Sequence, residues 1–137
     1  MSNGKVGFEL IISDFYGVML QANQLNQPYL EILSKLAKNS RVVCFSNSPT
    51  VQLNEYASRP ELNMISKMYS ATELDLPKTE IRSYEKLAEL ESVDASKIIF
   101  IDDQEPYVEA SLAAGCSGII YGSNAQLERE LNSLGVN

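Results

Sequence analysis

At 137 residues, 45% hydrophobic and 21% charged, the chain has the size and composition of one soluble globular domain, and no apolar run approaches the roughly 20 residues that span a bilayer. Against 18 Asp and Glu stand 11 Lys and Arg, a net charge of −7 without any basic run, which argues against a nucleic-acid binder because phosphate neutralisation needs clustered cations. Histidine is absent. That excludes Ser-His-Asp and Cys-His sites, a histidine base and histidine-ligated zinc, and leaves carboxylates, Lys, Tyr, hydroxyls or a hard oxygen-bound cation to carry any chemistry.

The N-terminal stretch MSNGKVGFELIIS has one Lys and a short apolar run leading directly into Asp14. A signal peptide needs a longer apolar region and a small-residue cleavage site, so no export signal is expected and the chain reads as cytoplasmic. Cys44 and Cys116 both sit in apolar surroundings and read as reduced core residues rather than a disulfide.

Apolar runs alternate with helical patterns along the whole chain. Phe8 to Ser13 reads as a buried strand ending at Asp14. Leu30, Leu33, Leu36 and Ala37 at helical spacing, with Pro28 suited to a first turn, predict a helix over 28–38. Arg41 to Phe45 is the next strand and ends at Ser46-Asn47-Ser48; Pro49 and Thr50 then open a short helix reaching about Tyr56. Ile65 to Tyr69 is a third strand, weaker in pattern. Were it at the sheet edge, Tyr56, Met68 and Tyr69 could form an exposed patch, although packing in the core is the simpler expectation. A helix follows over 79–90, then the strand Lys97 to Ile101, ending at Asp102-Asp103. Tyr107 to Ala114 reads as a helix stopped by Gly115, Ser117 to Tyr121 as a strand, and Ala125 to Leu134 as a last helix stopped by Gly135.

This alternation predicts an α/β chain: a three-layer α/β/α, Rossmann-like fold with a central parallel sheet, in one domain spanning 1–137. Such a sheet collects its strand C-terminal ends on one edge, where ligands bind. Four segments fall there: Asp14-Phe15-Tyr16-Gly17-Val18, Ser46-Asn47-Ser48, Lys78, and Asp102-Asp103. Each has an ordinary explanation alone, as a helix-capping acid, a turn or a solvated lysine. Together they make chemical sense. Asp14 and Asp103 or Asp102 would repel unless a cation lay between them, and all-oxygen ligands suit Mg2+. A carboxylate beside Mg2+ can attack a phosphoryl group, Ser46 could hydrogen-bond a phosphoryl oxygen, and Lys78 could neutralise its charge. Gly17 and Asn47 are candidate substrate contacts, Gly17 because it lets the chain turn tightly beside a ligand.

The segments IISDFYGVM, VVCFSNS, LPKTEIRSY and IIFIDDQEPYVEASLAAGCSGIIY resemble, in order, the four motifs of the haloacid-dehalogenase-like (HAD) hydrolase superfamily. The resemblance runs from about Phe8 to Leu134, and its last segment is similar to the subgroup with an Ile-Asp-Asp fourth motif. It implies Asp14 as nucleophile and metal ligand, Ser46 and Lys78 as the second and third motifs, and Asp103 as the metal-binding acid with Asp102 beside it. The backbone carbonyl of Tyr16 would be a further Mg2+ ligand.

Three positions depart from the family pattern. Tyr16 stands where HAD phosphatases carry the Asp that serves as general acid and base, Tyr107 replaces an Asn, and Thr79 replaces a Pro. Tyrosine, with a pKa near ~10, can donate a hydrogen bond but is a poor base, and losing acid–base help costs roughly 10²- to 10⁴-fold in rate. The expected function is a weak or specialised Mg2+-dependent phosphatase acting through an aspartyl-phosphate on Asp14. An inactive HAD-like binding protein is the first alternative. The Asp14-x-Tyr16-Gly17 arrangement is also similar to that of the 2-haloacid dehalogenases, which need no metal. Those enzymes bury small substrates under a cap, however, and neither 17–40 nor 75–77 leaves room for one. An open site in this family implies a phosphorylated substrate that is large or borne on a protein, with no nucleic acid or membrane as partner.

Overall fold

The computed structural model describes residues 7–136. The first residues of the stretch read above for an export signal, 1–6, lie outside the described residues.

Strand β1 (Leu10–Ser13) is followed by two short strands, β2 (Leu20–Gln21) and β3 (Gln24–Leu25), and by helix α1 (Gln27–Leu36). Then come β4 (Arg41–Ser46), α2 (Thr50–Ala57), β5 (Lys67–Ser70), α3 (Ile81–Glu91), β6 (Ile98–Asp102), α4 (Glu105–Ala113), β7 (Ser117–Ile120) and α5 (Asn124–Ser133). The main sheet is parallel throughout, in the order β5-β4-β1-β6-β7. β1 is therefore central. The chain goes to one side of it for β4 and β5 and to the other for β6 and β7, and the crevice where such a sheet changes direction opens at the C-terminal end of β1.

Alternation along the strands divides the core in two. Ile11, Val42, Cys44, Ile99 and Ile101 face Leu30, Leu33 and Leu36 of α1, Leu53 of α2, and Leu127 and Leu131 of α5. Leu10, Ile12, Val43, Phe45, Ile98 and Phe100 face Tyr84, Leu87 and Ala88 of α3 and Val108 and Ala110 of α4. Helices thus cover both faces, as continuous apolar strands require. Cys44 and Cys116 are buried and unpaired. β5 is an edge strand, yet Tyr69 is buried, and Tyr56 and Met68 pack partly buried against the core, so these three form no exposed patch.

The expected helices are all present, with shifted ends. α3 opens at Ile81 after Glu80 rather than at Thr79, and α4 opens at Glu105, two residues before Tyr107, with Pro106 in its first turn. The β2–β3 hairpin is an element the periodicity does not announce. Its two turn residues, Ala22 and Asn23, have φ of 50° and 63°, the left-handed pair that a two-residue hairpin favours. Asn-Gly is the usual marker of such a turn, and Ala-Asn carries none of that signal. Asn26 ties the hairpin down: its amide donates to the Val18 carbonyl at 3.0 Å and the Tyr121 hydroxyl at 3.0 Å, while its Oδ1 accepts from the Tyr29 N–H at the start of α1. No cap domain is present among the described residues. Between β1 and α1 stands only this hairpin, and residues 71–80 between β5 and α3 hold neither helix nor strand.

Candidate active site

Asp14 follows β1 directly, its N–H still paired with the Ile101 carbonyl at 3.0 Å, so that it extends the strand by one residue. By alternation it faces the same way as Leu10 and Ile12, and Asp102, at the end of neighbouring β6, faces that way too. Two carboxylates are thereby brought side by side beneath the α3–α4 layer. Lys78 lies between them, its Nζ 2.8 Å from Asp14 Oδ1 and 2.6 Å from Asp102 Oδ2. All three are buried. Asp102 Oδ1 accepts from the Gln104 N–H at 3.0 Å, while Oδ2, buried without a hydrogen-bond partner, is held by its ion pair with Lys78.

Asp103, one residue further, sits against Gly17. Its Oδ2 is 2.5 Å from the place a Cβ on residue 17 would occupy, and Gly17 has φ +91°. Only glycine combines that backbone conformation with that approach. Asp103 Oδ1 is buried and has no hydrogen-bond partner. An orphaned carboxylate oxygen is costly to bury. Oxygens of Asp14, Asp102 and Asp103 lie within 4.8 Å of one another. No hydrogen bond among the described residues reaches the Tyr16 carbonyl. Three carboxyl groups stand against one ammonium, an acid-rich cluster that a divalent cation would balance. These hard oxygen donors fit Mg2+; Asp103 Oδ1 has no partner at all, whereas Asp102 Oδ2 is committed to its ion pair with Lys78.

Charge and burial set the protonation behaviour. Burial raises the pKa of Asp14, opposed by the Lys78 ammonium and reinforced by Asp103. Burial likewise pushes Asp102 up to about 7, against the pull of Lys78. For Lys78 burial disfavours the charge, but Asp14 and Asp102 outweigh it and its pKa is raised. A lysine in this setting is a fixed cation.

What holds Lys78 in place was not legible in the sequence. The Tyr84 hydroxyl donates to the Lys78 carbonyl and the Ser83 hydroxyl to the Pro77 carbonyl, both at 2.6 Å, so the first turn of α3 anchors the loop. Around the ammonium stand the rings of Tyr107, Phe45 and Phe100, with centroids 5.0, 5.7 and 5.8 Å from Nζ. The available signal was Phe45 and Phe100 one and two residues before the strand-end polar groups, but aromatic residues in strands are commonplace.

The other sequence candidates line the same cleft of about 200 Å³, which is bounded by Asp14, Tyr16, Ser46, Asn47, Ser48, Lys78, Asp103, Gln104 and Tyr107. Ser46 Oγ, at the end of β4, accepts from the Ser48 N–H at 3.2 Å and keeps its own proton to donate. Asn47 is exposed, its Nδ2 3.5 Å from the Tyr107 hydroxyl. Tyr16 is 39% exposed, with its ring edge-on to Phe15 at 5.0 Å. Its hydroxyl makes no hydrogen bond among the described residues, and burial together with Tyr56 and Glu55 raises its pKa above 10.0. All four strand-end segments singled out in the sequence thus converge on one cleft.

Comparison with known proteins bears on the class. No protein-family model matches the chain, and no curated protein matches it. Solved structures do. An uncharacterised protein from Corynebacterium glutamicum is similar at a TM-score of 0.80 and 19% identity, over 96% of this chain and 98% of that one. A HAD family enzyme from Bacteroides thetaiotaomicron, an alanine mutant in complex with magnesium and inorganic phosphate, is similar at 0.73 and 13%, over 85% and 95%. A hydrolase from Streptococcus pneumoniae is similar at 0.73 and 14%, over 91% and 98%. The chain shares the fold of these solved structures, and its described residues hold no cap.

Proposed function

We propose that the chain is a single-domain HAD-like hydrolase, a Mg2+-dependent phosphatase working through an aspartyl-phosphate on Asp14. The observation that carries this reading is the buried, unpartnered oxygen of Asp103 within reach of a nucleophile already fixed by Lys78. Support from fold comes from the similar Bacteroides enzyme, which was solved with magnesium and inorganic phosphate.

Asp14, Asp103 and the Tyr16 carbonyl would hold the cation, which supplies charge neutralisation for a phosphoryl oxygen. Lys78 occupies Asp14 Oδ1, so the other carboxylate oxygen is the one available to the cleft. Ser46 would donate to a phosphoryl oxygen, and Asn47 and the chain turn at Gly17 would border it. Tyr16 would donate a hydrogen bond at the leaving-group side without the proton-transfer capacity of a carboxyl, which keeps the activity weak or specialised. A binding role without turnover shares this metal site and is favoured by the same Tyr16.

Release of phosphate from a generic aryl phosphate with Mg2+, by the native chain, Asp14→Asn and Tyr16→Asp, separates the two. The expected result is turnover in the native chain, none in Asp14→Asn, and a gain of one or more orders of magnitude in Tyr16→Asp, within the roughly 10²- to 10⁴-fold range of acid–base catalysis. An inert native chain that gains activity only in Tyr16→Asp would make it a binding protein. A fall in Tyr16→Asp would give the phenol a role of its own. Halide release from haloacids without metal would instead place the chemistry at carbon.

A further inference from the structure

We propose that the substrate is an aryl phosphate monoester, with its phosphate on a phenolic oxygen and its ring laid against the side chains of Tyr16 and Tyr107. The proposal rests on the hydrolase reading above and narrows it to a substrate class.

The first observation is what the cleft lacks. Its carboxyl groups are those of Asp14 and Asp103, one the phosphoryl acceptor and the other placed for the cation. Lys78 is held by two carboxylates. The rest of the lining is hydroxyls, amides and phenols, and the chain has no histidine. Among the described residues lining the cleft, no further carboxyl is left to protonate a departing alkoxide, Glu55 lying beside Tyr16 but outside that lining. An ester whose leaving group departs as a stable anion needs no such acid, and a phenol (pKa near ~10) leaves as its anion far more readily than an alcohol.

The second observation is what the cleft offers instead. Tyr16 is among the large apolar side chains left exposed, and it stands at the cleft mouth rather than in the core. Tyr107 lies over Lys78 with its hydroxyl near Asn47. The exposed Tyr16 and the half-buried Tyr107 both line the cleft that holds Asp14, and phenol side chains there suit a planar aromatic group, since aromatic pairs gain from edge and offset contacts beyond simple burial. With no cap among the described residues, those two phenols are the aromatic part of the cleft lining that meets whatever the phosphate is attached to.

In the reaction, the free oxygen of Asp14 attacks phosphorus and the bond from phosphorus to the phenolic oxygen breaks. Its electron pair leaves on the phenolate, which takes a proton from solvent. Water then attacks the phosphorus of the aspartyl-phosphate and gives a proton to solvent. The bond from phosphorus to Asp14 breaks, its pair returns to the carboxylate, and inorganic phosphate is released. No further carboxylate among the described residues lines the cleft to activate that water, so the second step lags and the phenol appears first in a burst stoichiometric with the protein.

The test uses the full chain with Mg2+ and four probes: phenyl phosphate, cyclohexyl phosphate, acetyl phosphate and a phosphotyrosyl peptide. The expected result is a kcat/KM for phenyl phosphate at least ~100-fold above that for cyclohexyl phosphate, which has the same size but neither a ring face nor a stable leaving anion. Acetyl phosphate, activated but not aromatic, is expected to show a higher KM than phenyl phosphate. Tyr16→Leu and Tyr107→Leu are expected to raise the KM for phenyl phosphate about tenfold more than that for acetyl phosphate. A peptide KM below that of phenyl phosphate would assign the aryl ester to a protein, and the reverse order to a small molecule; either supports the class. Cyclohexyl phosphate turned over as well as phenyl phosphate, or an unchanged preference in both Leu variants, would overturn the aryl assignment while leaving a working hydrolase. No turnover of any probe would overturn the hydrolase reading and the aryl assignment with it.

Discussion

Leu10, Ile12 and Asp14 lie on one face of the sheet, as do Ile98, Phe100 and Asp102 on the next strand, because side chains alternate along a strand. Two adjacent acids in sequence, Asp102 and Asp103, are for the same reason sent in different directions. Asp102 meets Lys78 and the Gln104 N–H, and Asp103 meets Gly17 with one oxygen unpartnered. Gly17 is therefore the position at which a small change should be most informative. In Gly17→Ala, the added Cβ would fall 2.5 Å from Asp103 Oδ2 at a φ of +91°, so the carboxylate must move. The expected outcome is a loss of Mg2+ affinity of about 10–100-fold by titration calorimetry, with a stability cost of about 1–3 kcal/mol from the strained backbone. Unchanged affinity would remove Asp103 from the metal site.

Several elements are held by partners far along the chain. The N-terminus of α2 follows Pro49, which provides no side-chain cap. Glu73, from the loop after β5, supplies it: the Thr50 N–H donates to Glu73 Oε2 at 2.7 Å and the Thr50 hydroxyl donates to Oε1. The Thr72 hydroxyl donates to the Asn47 carbonyl at 2.7 Å, so the same loop steadies the Ser46–Ser48 turn. These hydrogen bonds lower the Glu73 pKa below its ordinary value of 4.5. A carboxylate whose pKa is depressed on folding stabilises the native state above the unfolded pKa, and that stabilisation fades as pH falls through the folded one. Glu73→Gln is therefore expected to melt below the native chain at pH 7, with the two melting temperatures converging below pH 4.5. A gap independent of pH would mean that the carboxylate charge contributes nothing to the cap. On the opposite face, α3 performs a comparable service for the site through Tyr84 and Ser83, which hold the carbonyls of Lys78 and Pro77.

Across the whole molecule, a cluster of three buried or half-buried carboxylates with one lysine stores electrostatic repulsion that a cation would relieve. A ligand bound only by the native state stabilises it by about 2.7 kcal/mol at a hundred times its dissociation constant. Mg2+ is thus expected to raise the melting temperature by several degrees in the native chain and not in Asp103→Asn. An equal rise in both would put the ion elsewhere.

Much of this architecture is readable along the chain, because it depends on local pattern. Runs such as Arg41 to Phe45 and Lys97 to Ile101 are apolar on consecutive residues, as strands buried on both faces must be, and the helices between them show their own period. A parallel, helix-covered sheet follows, and so does the meeting of Asp14, Ser46, Lys78 and Asp103 at one edge, since every parallel strand ends there. The Ala22-Asn23 turn escaped because its left-handed backbone is imposed by strand pairing on residues that do not advertise it. By itself, then, the sequence determined the layer order, the absence of a cap and the set of strand-end residues that share a cleft. Only the tertiary structure decided that Asp102 pairs with Lys78 while Asp103 keeps an open oxygen, and that Tyr84 and Glu73 anchor the surrounding loops. These outcomes turn on the pleat phase of neighbouring strands and on contacts between residues distant along the chain, and neither is encoded in any one segment's composition or period.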